Sequence, residues 1–355
     1  MTLRVLVVDD SAFARKVMRE VLSRDPEIEV VGIARDGLDA LEKIHELKPD
    51  VITLDLVMPN LNGLGVLNAL RGRNFPRAVI VSMSDAESDL AVAALQAGAV
   101  ELVHKPTALA TDMLYDLADE LLNKVKAAGA AKVTLGAPHP PRISSVRPLT
   151  KAVAPLRVVV IGASTGGPQA LTRLLGELPS DFPLPIAIVL HMPIGYTAAL
   201  ADRLNSVCAL AVSEAREDVE LTAGMVVIAR AGMHLVIASG ARDGGPRTKL
   251  EFPPMNKPHR PSVDVLFASA ASACGAGVLG VVLTGMGEDG LIGARAIKEA
   301  GGTLLHEAEE SCVVYGMPRA IAEAGLSSGA VTLDAMAAAL DVRVRVPPSV
   351  PPPAR

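Results

Sequence analysis

The chain has 355 residues, with 34 Lys and Arg against 39 Asp and Glu, a formal net charge of -5 at pH 7. At roughly 100–200 residues per domain, that length suggests about two domains. Half the residues are hydrophobic and 21% are charged, which excludes a disordered chain, and nothing in the acidic balance favours sequence-blind nucleic-acid binding.

Only 2% of residues are aromatic and there is no Trp. The cores must be aliphatic, which suits buried parallel sheet covered by helices. Cys208, Cys274 and Cys312 are far apart and form no CxxC pair, so reduced thiols in a cytoplasmic protein are expected. The N-terminus MTLRVLVVDD lacks the basic region and long apolar stretch of a signal peptide. Residues 265–287 carry no charge and are long enough to span a bilayer at ~20 residues. Gly275, Gly277, Gly280, Gly285 and Gly287 interrupt that run. A helix over 263–273, a Gly-rich turn and a buried strand over 278–284 are expected instead, without membrane insertion.

In chain order, the first block repeats short apolar runs at 3–8, 28–34, 50–54, 78–82 and 100–103. Amphipathic helical patterns lie between them; Leu38, Leu41, Ile44 and Leu47 mark one apolar face. Ser11 is placed to cap the helix after the first strand. Five βα units in about 125 residues predict a small doubly wound sheet. Residues 129–155 hold five prolines and no periodicity, the pattern of an extended linker. The second block alternates strands at 157–162, 186–191, 209–213, 225–229, 278–284 and 301–306 with helices near 168–178, 196–206, 263–273, 290–300 and 317–324. Parallel α/β structure is predicted again. The tail at 346–355 is Pro-rich and reads as frayed.

Open α/β sheets place their chemistry at the carboxyl ends of strands. In the first block those ends carry Asp9, Asp10, Asp55, Ser82 and Lys105. Three carboxylates converging on one crevice either bind a hard cation such as Mg²⁺ or shift their pKa values upward. A carboxylate beside such a cation can attack a phosphoryl donor, with Lys105 and Ser82 stabilising the anion. The residues VVDDS, LDLVMPNLNG, VSMS and HKP resemble the response-regulator receiver family. The resemblance implies phosphorylation of Asp55 by a histidine kinase, and Mg²⁺ held by Asp10, Asp55 and the Val57 carbonyl with Asp9 acting through water. It also implies a cis Lys105–Pro106 bond.

The second block opens with VVVIGASTGGPQALTRLL, a strand, a tight glycine turn and a helix with Pro168 near its start. Gly162-Ala163-Ser164-Thr165-Gly166 matches G-x-S-x-G, a turn that lifts a serine above the sheet edge. The rival reading, a dinucleotide loop, needs an acid at the end of the next strand. That strand, IAIVLH, ends in His191. A serine needs a base, and an imidazole titrating near ~6.5 can serve. The third member, an acid orienting the imidazole, is available in Thr284-Gly285-Met286-Gly287-Glu288-Asp289-Gly290.

The motifs GASTGGP, HMP, IARAGMHL, HRPSVDVLF, LTGMGEDG and VVYGMPRA resemble the catalytic domain of the chemotaxis protein-glutamate methylesterases, the CheB-type family. The resemblance implies Ser164 as nucleophile, His191 as base, Asp289 rather than Glu288 as acid, and the Met286 backbone N–H as an oxyanion donor. Arg230 and Glu307 depart from the family pattern, which has Pro and Gln there. The expected architecture is α/β: a (βα)5 receiver domain over 1–128, the linker over 129–155, and a doubly wound, mainly parallel α/β/α esterase domain over 156–345. The expected activity is phosphorylation-regulated demethylation of chemoreceptor glutamyl esters, with glutamine deamidation as a second activity. No cofactor is expected in the esterase domain, and the chain is expected to be a monomer.

Overall fold

The computed structural model describes residues 2–71, 76–83, 87–105, 113–131, 154–240, 244–252 and 259–345. The chain divides into two compact units.

The N-terminal unit alternates strands and helices throughout: β1 (Leu3–Val8), α1 (Ala12–Leu22), β2 (Ile28–Ala34), α2 (Gly37–Leu47), β3 (Val51–Asp55), α3 (Gly63–Leu70), β4 (Arg77–Ser82), α4 (Ser88–Gln96), β5 (Glu101–His104) and α5 (Met113–Ala130). The strands pair in the order β2-β1-β3-β4-β5, all parallel. β1, β3 and β4 are near-continuous apolar runs because helices cover both faces of the sheet. Ser11 caps α1 as expected, its side chain accepting from the Ala14 N–H. The expected apolar face of α2 holds at three of its four positions, with Ile44 buried and Leu41 and Leu47 half-buried. Leu38 is 58% exposed, and Gly37, Ala40 and Ile44 form the buried stripe. The small residue Gly37 lets the start of this helix lie close to the Leu61 backbone, and Leu38 faces outward. α5 continues to Ala130, two residues into the expected linker. Residues 132–153 of that linker, Pro106 and the Pro-rich tail lie outside the described residues.

The C-terminal unit runs β6 (Val158–Ala163), α6 (Gly167–Glu177), β7 (Ile186–Leu190), α7 (Thr197–Val207), β8 (Ala211–Glu214), β9 (Met225–Ile228), β10 (His234–Ala238), β11 (Arg247–Glu251), α8 (Val263–Cys274), β12 (Val278–Val282), α9 (Leu291–Glu299), β13 (Thr303–Glu307), α10 (Met317–Glu323), β14 (Ala330–Val331) and α11 (Leu333–Arg345). Its main sheet has the order β14-β13-β12-β6-β7-β9-β8, parallel throughout. The chain leaves β6 in one direction and returns through β12 to build the other half. The crevice between β6 and β12 is therefore a topological switch point, where such sheets bind ligands. β10 and β11 form a separate antiparallel pair that the alternation did not reveal. The uncharged stretch resolves into α8, a turn and β12, and no described helix is long and apolar enough to cross a membrane.

Candidate functional site

In the N-terminal unit, Asp55 ends β3, Ser82 ends β4, and Asp9 and Lys105 directly follow β1 and β5. Lys105 Nζ lies 2.6 Å from Asp55 Oδ2 and 2.9 Å from Asp9 Oδ2. One ammonium thus faces two buried carboxylates. Burial pushes the Asp55 carboxyl up to about 6, opposed by the Lys105 hydrogen bond and reinforced by the charge of Asp9. Burial also raises Asp9, against the pull of Lys105. Asp9, Asp10 and Asp55 each offer an oxygen within 4.8 Å of the others. This all-oxygen, anion-rich donor set fits a hard divalent cation. The Val57 N–H reaches Asp55 Oδ1 at 3.4 Å. Ser82 does not join the acids: its hydroxyl donates to Glu87 Oε2 at 2.5 Å, and the same oxygen takes the Met83 N–H. Glu87 carried no signal in the sequence, since it lies five residues beyond the strand end that it serves.

In the C-terminal unit, Ser164 and His191 follow neighbouring strands of the sheet, and among the described residues no hydrogen bond joins the Ser164 hydroxyl to the imidazole. Ala163 pairs with Leu190 in the parallel register of β6 and β7, and each candidate follows its partner by one residue. The His191 N–H closes the ladder onto the Ala163 carbonyl. Two glycines make the turn possible for different reasons. Gly166 is left-handed, with φ of 78°, between Ser164 and the start of α6. Gly162 lies against α8, where an added Cβ would come within 2.3 Å of Val263 Cγ1. The Gly167 N–H returns to the Ser164 carbonyl, and the Ser164 N–H donates to the Thr284 carbonyl at 3.0 Å. The loop after β12 is thereby tied to the serine turn.

His191 Nε2 lies 2.8 Å from Asp289 Oδ2. Glu288, the other acid of the loop, is exposed. Asp289 also accepts the Ser262 hydroxyl and the Val263 and Asp264 N–H groups, at 2.9, 2.7 and 3.1 Å. It therefore caps the N-terminus of α8 from another element. Asp264 returns the arrangement by accepting the Gly290 and Gly293 N–H groups at the start of α9. Burial alone would raise the Asp289 carboxyl. The hydrogen bond and charge of His191, with the two N–H donors, outweigh that and hold it far below the usual carboxylate range. The imidazole of His259 stacks on that of His191, with ring centroids 4.3 Å apart and an angle of 16°. His234 Nδ1 accepts the Ser262 N–H at 3.2 Å.

Met286 follows Gly285, whose carbonyl takes the Gly316 and Met317 N–H groups. Among the described residues nothing accepts the Met286 N–H. Arg230 is exposed, 4.0 Å from Glu214. Glu307 is fully buried behind the site. The supports Ser262, His234, His259 and Thr284 had no assigned part in the sequence reading. Ser262 and His259 lie in HRPSVDVLF, so their motif was visible while their contacts were not.

The arrangement offers a hydroxyl, an imidazole and an ionised carboxylate at one sheet edge, and a carboxylate cluster with a lysine at the other unit's sheet edge. An acid cluster on one parallel sheet and a serine, an imidazole and a carboxylate on the other are the features to set beside known proteins. The CheB methylesterase family matches residues 159–340, and the response regulator receiver domain matches residues 5–114. A protein-glutamate methylesterase/protein-glutamine glutaminase of Myxococcus xanthus is 59% identical over 347 residues, covering 97% of this chain and 98% of the relative. One from Geobacillus kaustophilus is 43% identical, covering 96% and 98%. The crystal structure of the Thermotoga maritima CheB methylesterase catalytic domain is similar with a TM-score of 0.51 and 38% identity. It spans 54% of this chain and 100% of that one. The chain belongs to the CheB methylesterase family, a family of carboxylic ester hydrolases, and carries a response regulator receiver domain at its N-terminal end.

Proposed function

We propose that the protein is a phosphorylation-regulated protein-glutamate methylesterase that demethylates chemoreceptors in the cytoplasm by a Ser-His-Asp mechanism, with glutamine deamidation as a second activity. The observation that carries this reading is the 2.8 Å contact of His191 with Asp289, on an imidazole one register step from Ser164. With Nε2–H directed at Asp289, Nδ1 is the nitrogen left to take the Ser164 proton. Ser164 Oγ bonds to the γ-carbonyl carbon of a glutamyl methyl ester. The proton on His191 passes to the departing methoxide, and methanol leaves. Water then loses a proton to the same nitrogen and attacks the acyl carbon, and the bond to Oγ breaks with return of the proton to Ser164. Asp289 stabilises the imidazolium in both steps. The Met286 N–H serves the developing oxyanion. A glutamine side chain presents the same carbonyl with ammonia leaving. The esterase step uses no cofactor.

In the receiver, Asp55 is the phosphoryl acceptor and a histidine kinase the donor. Asp10, Asp55 and the Val57 carbonyl would hold Mg²⁺, with Asp9 acting through water, and the ion would neutralise phosphoryl charge when bound. Lys105 pairs with the phosphoryl group and Ser82 hydrogen-bonds it after leaving Glu87. Phosphorylation shifts the protein toward its active population. The protein acts as a monomer, organised as a receiver over 1–128, a linker over 129–155 and an esterase domain over 156–345. The test is methanol release from methylated receptor, with and without a small phosphodonor. Wild type should respond to the donor, Asp55→Asn should lose the response, and Ser164→Ala should release none. Methanol release by Ser164→Ala at the wild-type rate would end the reading.

A further inference from the structure

A buried carboxyl with no part in the proton transfers lies directly behind the serine turn. Glu307, at the end of β13, is 0% exposed. Its Oε2 accepts the Thr284 N–H at 2.8 Å, and its Oε1 lies 2.9 Å from the Ser311 hydroxyl. Thr284 is the hub of the site. Its carbonyl holds the Ser164 N–H. Its hydroxyl donates to the Thr165 carbonyl at 2.9 Å and accepts the Val314 N–H at 2.9 Å. Glu307 therefore reaches the serine through two consecutive backbone groups of one residue.

The surroundings favour a neutral acid here. Among the described residues, no salt bridge joins Glu307 to a cation. From α11 it meets Asp334, itself paired with Arg173 of α6 at 2.7 Å, and from the 308–316 loop it meets Ser311 and the Cys312 thiol. Burial pushes its carboxyl up to about 7, opposed by the Thr284 and Ser311 hydrogen bonds and reinforced by Asp334. Ser311 can serve either protonation state. It donates to an ionised Glu307, or it accepts from the protonated acid and turns its own proton to the Ala308 carbonyl, 3.2 Å away. Its oxygen also takes the Leu333 N–H.

We propose that Glu307 is a positioning residue that works as the neutral acid: it anchors Thr284, and through it the serine turn, without placing negative charge behind the forming oxyanion, and its ionisation turns the esterase down on the alkaline side. The inference rests on the esterase reading above. A negative charge at Glu307 opposes the negative charge that develops on the substrate carbonyl oxygen.

The experiment is the pH profile of kcat and KM for methanol release by full-length wild type, Glu307→Gln and Glu307→Ala, each with saturating phosphodonor. The receiver is the same in all three, so the Glu307→Gln to wild-type ratio at each pH reports Glu307 alone. About one pH unit above a single titration only about a tenth of an acid stays protonated, so that ratio should rise about tenfold across the alkaline limb. Glu307→Ala should lower kcat at every pH with little change in KM. In parallel, the carbon NMR signal of the labelled glutamate carboxyl that is missing from Glu307→Gln should titrate well above the ordinary glutamate range. An active Glu307→Gln whose profile superimposes on wild type overturns the proposal while leaving the esterase reading intact. A wild type that releases no methanol at any pH overturns both.

Discussion

Both units place an aspartate at the carboxyl end of a buried parallel strand or in the loop just after it, yet the two environments drive those carboxyls in opposite directions. Asp55 shares its crevice with Asp9 and one lysine, and burial leaves it raised to about 6. Asp289 is also buried, but it receives the His191 imidazole, the Ser262 hydroxyl and two N–H groups of α8, and is held far below the usual range. The count of donors decides the matter, since a desolvated carboxylate is stable only where its lone pairs are met. In its proposed role as phospho-acceptor, Asp55 has to be available to incoming cation and phosphoryl group, and its partly unmet charge suits that role. In its proposed role as triad acid, Asp289 has to stay ionised while the imidazole gains and loses a proton, and its well-met charge suits that role.

The hardest way to break this comparison is at the nucleophile. Ser164→Ala is expected to cut kcat by about 10⁶-fold, because the residues of a triad act as a unit; methanol release by a purified variant measures it. Asp289→Asn comes next. It keeps the shape but removes the charge that pairs with the imidazolium, and about a 10⁴-fold loss of kcat is expected. The same variant tests the electrostatics without substrate. Asp289 has a depressed folded-state pKa, so its stabilising contribution is complete above the unfolded value of 3.8 and is lost as pH falls below it. Acid unfolding of the catalytic unit should therefore be shallower in Asp289→Asn than in wild type. Equal slopes would mean that the carboxylate is not the satisfied group its contacts describe.

Much of this was legible in the residues. The receiver acids declared themselves because strand runs end one residue before or at them, and the eye needs only the period of the sheet to gather them into one crevice. Ser164 and His191 were legible for the same reason. The supports were not. Asp289 stood out from Glu288 only by resemblance, because the distinction is made by α8, whose first turn meets the loop of 284–290 from far along the chain. Ser262 carried no signal of its own: it stands at the N-cap of α8, yet its hydroxyl is spent on Asp289 rather than on its own helix. The β10–β11 pair was missed because RTKLE is a charged, half-exposed strand with no core-facing run to mark it. Leu38 misled because leucines at helical spacing read as a stripe even where Gly37 and Ala40 make the closer approach.

A smaller effect sharpens the comparison from the catalytic side. Ser262→Ala removes one of the donors that meet the Asp289 charge. A hydrogen bond to a charged group contributes about 1.5–3 kcal/mol, so a loss of kcat of roughly 10–100-fold is expected if the bond matters fully to the imidazolium. KM should be nearly unchanged, because the substrate does not touch that hydroxyl in the proposed mechanism. A KM effect without a kcat effect would place Ser262 in the substrate groove instead.

The smallest expected effect is also the cleanest contrast between the units. If the charge of Asp9, Asp10 and Asp55 is left partly unmet, a divalent cation should stabilise the receiver and leave the catalytic unit alone. Native-state binding at ten times the dissociation constant adds about 1.4 kcal/mol. For a unit of this size that is a rise of several degrees in the receiver's own unfolding transition, at roughly 3–5 °C per kcal/mol. Calorimetry of the full chain in chelator and then in excess Mg²⁺ resolves the two transitions. Asp9→Asn should shrink the shift, since it removes one of the three carboxylates and with it part of the charge that draws the cation. A shift of the catalytic transition instead, or an equal shift of both, would mean that the cation reads general surface acidity and not the crevice at the ends of β1 and β3.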